Sequence, residues 1–328
     1  MAASYAFAVG SVRAREGALL TRQEMEQLMA AGSERELADR LRDKGLGSPT
    51  ERGGMDSILQ EETARLWEYL WSVAPEKSLF EPFLLENDAH NAKAILKGTL
   101  SQRKTEHLLL APSTLPPAVL RAAVEERKFT EAAGLPGWIA RPLERAYSLL
   151  AHDGDAQLAD AAIDRAALAE MLAAAGRTGD PLVSRLVTLQ VFYADVKIAL
   201  RAARVKKGSL YLDEALCPCE GVERDAWIRA VRGGEEELLG LLERLDAFGS
   251  RAAAAAYRES AAAFEKWVDD RRMEEARQAK RVTLGPAPLV GYLLAKQAEI
   301  RALHRIASGI RTGLGEDEMR ERGRLLYA

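Results

Sequence analysis

Pairs of positive side chains one helical turn apart recur three times in this chain: Lys93 with Lys97, Lys197 with Arg201, and Arg301 with Arg305. Cations at i and i+4 project from one helix face. There they can meet acidic groups of a partner or pair with acids of their own chain. The other reactive residue types do not gather. Cys217 and Cys219 flank Pro218 and offer two metal ligands, but no nearby histidine or cysteine makes up four, so they read as loop thiols. His90, His107, His152 and His304 are scattered without ligand spacing, and His90 and His304 are expected as surface or half-buried residues of helices. Asp153 with Asp155 and Asp269 with Asp270 lack a partner constellation and read as turn and solvated helix charges. Trp67 and Trp71 have core spacing. There is no GxxxxGK[ST] phosphate loop, and no GxGxxG follows a strand pattern. These residues give no case for an enzyme, a cofactor or a metal site.

The basic pairs belong to a larger repeat. NAKAILK at 91–97, DVKIALR at 195–201 and EIRALHR at 299–305 align on Asn91, Asp195 and Glu299, and 195 − 91 and 299 − 195 both equal 104. A leucine stands six positions earlier each time: Leu85, Leu189 and Leu293. Equal periods mean one structural unit used three times. Ala92, Ile95 and Leu96 share one helical face, as do Val196, Ala199 and Leu200, and Ile300, Leu303 and His304. Each copy therefore buries one edge and carries two positive charges on its flank.

Three units of that length fit within 328 residues and within the usual domain range. The expected lobes are 1–110, 111–208 and 209–328. A composition 48% hydrophobic and 29% charged is globular, and 46 basic against 49 acidic residues gives no general case for nucleic-acid binding, which needs a basic face. Alanine and leucine abound while aromatics and alternating runs are scarce, so the expected fold class is all-α. Two cysteines do not make a disulfide framework, which favours a reducing compartment. The N-terminus lacks a signal-peptide pattern. The longest uncharged candidate span, Val282 to Ala295, falls short of a membrane crossing and carries prolines.

The elements that must position the repeats follow from local signals. A helix is expected from Tyr5 towards Leu20, then capping boxes at Thr21/Glu24 and Ser33/Glu36, with Gly45 and Gly47 ending the second. Residues 47–54 read as a loop. A helix from Asp56 should stop before Pro75, and each repeated helix starts afresh after a proline: Pro82, Pro181, and Pro286 with Pro288. Helices are predicted near Pro117–Arg127, Trp138–Leu150 and Asp153–Ala175, and one long helix from Arg251 to Arg281.

With those residues placed, the chain resembles the C subunit of the vacuolar/archaeal-type rotary ATPases, the family that includes the eukaryotic d subunit. The resemblance runs from Tyr5-Ala6-Phe7-Ala8-Val9, with Arg13, Glu16, Leu19 and Leu20, through NDAHNAKAILKG at 87–98 and FYADVKIALRA at 192–202. Its most specific part is GPAPLVGYLLAKQAEIRALHRIASG at 285–309, followed by Gly313 to Arg322. Ala89 stands where the family commonly has an aromatic residue, Gly315 where it has proline, and Gln297 where it has an acid.

The resemblance implies a non-catalytic subunit of three similar helical lobes around a pseudo-threefold axis, forming a funnel. That funnel would sit on the cytoplasmic side of the membrane proteolipid ring and receive the central shaft made of the D and F subunits. It would carry torque for proton or sodium transport coupled to ATP synthesis or hydrolysis. On that reading some of Lys93, Lys97, Lys197, Arg201, Arg301 and Arg305 line the inner wall as partner-binding residues. The contrasting expectation is a helical scaffold with a concave peptide groove, although such repeats have shorter periods.

Overall fold

The computed structural model describes residues 2–48, 53–219 and 222–328. Among these the chain is all-α. It forms α1 (Ala2–Glu16), α2 (Arg22–Met29), α3 (Glu34–Asp43) and α4 (Met55–Val73), then α5 (Leu85–Ser101), α6 (Pro117–Glu126), α7 (Gly137–Ala151) and α8 (Ala156–Arg177). It continues with α9 (Pro181–Arg204), α10 (Ser209–Ala215), α11 (Arg224–Gly233), α12 (Glu235–Leu245) and α13 (Ser250–Glu259), and ends with α14 (Ala261–Ala276), α15 (Ala287–Arg311) and α16 (Glu316–Glu321). The chain divides into two compact units. One joins the N-terminal residues up to Lys77 to Ala255–Ala328, and the other is Ser78–Ala254.

In the first unit the two ends of the chain share one core. Leu28, Leu37, Leu41 and Ile58 of α2 to α4 pack with Leu303, Ile306 and Ala307 of α15. The Thr21/Glu24 capping box forms in full, with each side chain bonded to the other's backbone N–H. The second box forms by half. Ser33 Oγ accepts the Glu36 N–H, but the Glu36 carboxylate takes the N–H of Gly32 instead. Gly45 and Gly47 take φ of +81° and +76°, where a side chain is strained. Of the loop expected at 47–54, residues 49–52 lie outside the described residues. The first helix stops at Glu16, earlier than expected, and leaves Leu20 in the connection to α2.

In the second unit, α5 packs with α6, α7 and α8 through Ala92, Ile95, Leu96, Leu120, Ile139, Leu143 and Ile163. Asp155 caps α8 by accepting the N–H groups of Gln157 and Leu158, so half of the Asp153/Asp155 pair is a helix cap. Asp180 does the same for α9, with Pro181 in the first turn, where its missing N–H costs nothing.

The predicted helix from Arg251 to Arg281 is broken. Ser260, with extended backbone, ends α13 and caps α14 by accepting the N–H of Ala263, and residues 277–281 tighten into a 3-10 turn. A serine side chain competes for backbone N–H groups more effectively at a cap than inside a helix, and here that preference wins over the alanine run. Among the described residues no helix is long and apolar enough to cross a membrane.

Candidate functional site

All three repeated segments lie inside long helices, α5, α9 and α15. The upstream leucines are buried: Leu85, Leu189 and Leu293. So are the three aligning residues, although each is polar: Asn91 is 0%, Asp195 1% and Glu299 3% exposed. A buried polar group persists only when it is hydrogen-bonded. Each of these three accepts a backbone N–H from a non-helical segment elsewhere in its unit.

Asn91 makes the fullest clamp. Its Oδ1 accepts the N–H of Leu110 at 2.8 Å and its Nδ2 donates to the Leu110 carbonyl at 2.9 Å. Neighbours on α5 extend it. Asp88 accepts the N–H groups of Thr114 and Leu115 at 2.9 and 3.0 Å, and Asn87 Nδ2 donates to the Pro112 carbonyl at 2.8 Å. A ring nitrogen of His90 also lies 2.8 Å from the Leu108 carbonyl. Burial raises the Asp88 pKa against the opposing pull of those hydrogen bonds.

On α9, Asp195 Oδ1 accepts the N–H of Cys217 at 2.9 Å. Its Oδ2 has no hydrogen-bond partner among the described residues. Burial pushes the Asp195 carboxyl up to about 7 and the Cys217 thiol up to about 11. A thiol held that high is protonated and unreactive at neutral pH. Both cysteines are free, and no group of three or more metal-ligating side chains occurs among the described residues.

On α15, Glu299 Oε2 accepts the N–H of Leu20 at 2.7 Å, and its other oxygen takes the Lys296 ammonium. Lys296 also lies 3.3 Å from Glu62 of α4, which in turn accepts the N–H of Gly47 at 3.1 Å. All three charges are nearly buried, with side chains 12, 7 and 4% exposed for Lys296, Glu62 and Glu299. Burial pulls the Lys296 pKa down, but the two carboxylates outweigh it and the net shift is upward. Sequence reasoning placed Glu299 and missed Lys296, Glu62 and Asp88. A lysine three residues before the aligning acid of α15 was the available signal, since i,i+3 pairs meet on a helix.

The six bases sit in different surroundings. Lys93 pairs with Asp164, and Lys97 Nζ lies 2.6 Å from Asp160 Oδ2. Both acids belong to α8, one turn apart, so two i,i+4 rows face each other. Burial raises the Asp164 pKa, with Lys93 opposing it. Lys197 is half-buried and Arg201 exposed. In the other unit Arg301 is exposed and Arg305 half-buried, and burial, with the cations of Arg324 and Arg301, lowers the Arg305 pKa. The predicted apolar face holds in α5 and α9. In α15 it departs at His304, which is exposed, while Ile306 and Ala307 fill the core below it. Trp67 and Trp71 stack with ring centroids 5.5 Å apart on α4.

An all-helical protein carrying the same buried clamp on three like helices is thus defined. The chain belongs to the ATP synthase (C/AC39) subunit family, whose model matches residues 8–322. Family membership makes it a subunit of a V/A-type rotary ATPase, with partners inside that membrane-associated complex. It is similar to the C subunit of the V-type sodium ATPase of Enterococcus hirae, at 20% identity over 96% of this chain and 97% of the relative. The C subunit of the A-type ATP synthase of Methanobrevibacter smithii is 26% identical over 90% of this chain and 82% of its own length. That of Halorubrum lacusprofundi is 24% identical over 95% of each.

Proposed function

We propose that the chain is the non-catalytic socket of the rotary complex, joining the central shaft, made of the D and F subunits, to the membrane proteolipid ring on its cytoplasmic face. It transmits torque between them, and so couples ATP synthesis or hydrolysis to proton or sodium transport. The observation that carries this reading is the clamp repeated on α5, α9 and α15 at Asn91, Asp195 and Glu299. A part that passes torque needs its helices tied rigidly to the connections around them, and buried side chain–backbone bonds do that. Three equal clamps support three lobes arranged around a pseudo-threefold axis as a funnel.

The clamps also favour a phase for those lobes. Each ties its helix to a segment that follows it in sequence or, for α15, to the N-terminal connection at Leu20. We therefore start each lobe at its repeated helix, where spacing ends it there, and let the third close through the two chain ends. Some of the six bases, Lys93, Lys97, Lys197, Arg201, Arg301 and Arg305, serve on the inner wall against acidic groups of the shaft.

Affinity purification from native membranes with this chain as bait tests the assignment. Recovery together with D, F and proteolipid is expected, and recovery without them sinks the socket. Reversing Lys197 and Arg301 to glutamate in a reconstituted complex tests the wall. Unchanged shaft binding together with unchanged ion-coupled ATP hydrolysis would remove these bases from it.

A further inference from the structure

In the first unit a cavity of about 680 Å³ opens beside the last turns of α15, bounded by α2, α14, α16 and the C-terminal residues. That volume suits a small ligand or a short stretch of peptide. Its floor is apolar, with Met25 and Met29 of α2 and Met319 of α16, and flexible thioethers adapt to the side chains of a helix laid over them. Its rim is cationic, and almost every charge there is matched. Arg22 pairs with Glu26, Lys266 with Asp270, Arg320 with Asp317, Arg322 with Glu318 and Arg324 with Asp269. Arg277 donates to the carbonyl oxygens of Leu326 and Ala328 at the chain end.

Arg305 is the exception. It lines the cavity and, among the described residues, makes no hydrogen bond and no ion pair. The like charges of Arg324 and Arg301 act on it against the pull of Asp269 and Asp270, and with burial they leave its charged form disfavoured. A half-buried guanidinium without a partner is a standing electrostatic cost, and an incoming anion relieves it.

We infer that this groove receives an amphipathic helical segment of a neighbouring subunit, which seats one carboxylate on Arg305 and apolar side chains on the methionine floor. The charge count selects a carboxylate. One cation has no hydrogen-bond or ion-pair partner among the described residues, whereas a phosphate monoester would bring nearly two negative charges to it. The apolar floor asks for more than a bare ion, and a planar guanidinium suits a carboxylate held bidentately. Acid and apolar groups spaced along one helix face meet both demands at once. The inference rests on the chain's working inside a rotary complex, though not on which neighbour supplies the helix.

The test uses the intact complex. Arg305→Lys keeps the charge and supplies an amine that a carbodiimide joins to any carboxylate touching it. Mass spectrometry is expected to find that position linked to an Asp or Glu of another subunit. Links confined to Asp269 or Asp270 of the same chain, or none, overturn the inference. A photo-crosslinking residue at Met29, with Arg305 intact, supplies a second reading that stands even if Arg305→Lys fails to enter the complex. Protein adducts there support a helix in the groove, and lipid adducts alone overturn it. Arg305→Gln is expected to weaken retention of this chain in the complex roughly tenfold or more, and most strongly at low salt. A complex that holds D, F and proteolipid yet gives no link at the groove sinks this inference and leaves the socket standing. A link to a different acidic subunit without D and F does the reverse.

Discussion

Asp195 holds the backbone N–H of Cys217 at 2.9 Å with one carboxylate oxygen while the other, equally buried, has no hydrogen-bond partner among the described residues. Asn91 occupies the aligned position on α5 and uses both ends of its amide on Leu110. Glu299 occupies it on α15 and shares its charge with Lys296. The same acceptor role is thus filled by a neutral amide, a carboxyl poised near neutrality and a paired carboxylate.

That difference predicts a pH response at the aligned position of the middle copy. The folded-state pKa of Asp195 is about 7, against roughly 3.9 in an unfolded chain. Between those values the native state holds the extra proton, so stability falls as pH rises from about 4 to about 7 and is level above that. The slope is at most about 1.4 kcal/mol per pH unit. Asp195→Asn keeps an acceptor for Cys217 and removes the titration. Urea unfolding of both proteins at several pH values from 5 to 8 is expected to show a steeper downward slope in the parent than in the variant. Parallel profiles would show that Asp195 does not titrate in this range.

Removing the cation at the third clamp should be far more damaging. Lys296→Met leaves the buried Glu299 without a counter-charge and Glu62 with only the half-exposed Arg65, a change that costs about 3–5 kcal/mol. Neutralising the acids as well, with Glu62→Gln and Glu299→Gln, should recover much of the loss, because glutamine still accepts the N–H groups of Gly47 and Leu20. Chemical denaturation of the single and triple variants checks this. A single variant within experimental error of the parent would contradict the network.

Gly98 carries a packing prediction. A Cβ there would lie 2.3 Å from Cγ2 of Thr105 and 2.9 Å from the Arg103 carbonyl, where the chain leaving α5 folds back over its last turn. Glycine inside a helix ordinarily gives way to alanine with a gain. Here Gly98→Ala is expected to destabilise by roughly 1–3 kcal/mol, as overpacking does. A thermal melt unchanged or raised by the substitution would refute the close approach.

Much of this fold is written locally. The cap at Thr21, the proline-led starts of α9 and α15 and the buried stripes of α5 and α9 depend on residues within a turn or two of each other, so a linear reading finds them, while the equally local caps at Asp155 and Asp180 went unread. The break at Ser260 was equally local but lost to the louder alanine run beside it. The 104-residue repeat was legible too, yet its aligning residues served only as its register. Their burial was not legible, because it depends on segments brought in from elsewhere.

The sequence by itself determined that the chain is helical, where many of its helices start, that one helical pattern recurs three times at equal spacing, and which residues occupy the aligned positions. Helix periodicity and capping are short-range, and they survive in any tertiary setting. Only the tertiary structure decided what those positions do. It set Glu299 against Leu20, 279 residues away, placed Lys93 and Lys97 opposite the paired acids of α8, and left Arg305 at a cavity without a hydrogen-bond or ion-pair partner among the described residues. Such contacts are chosen by which surfaces the packed core brings together, and no local pattern along the chain encodes that choice.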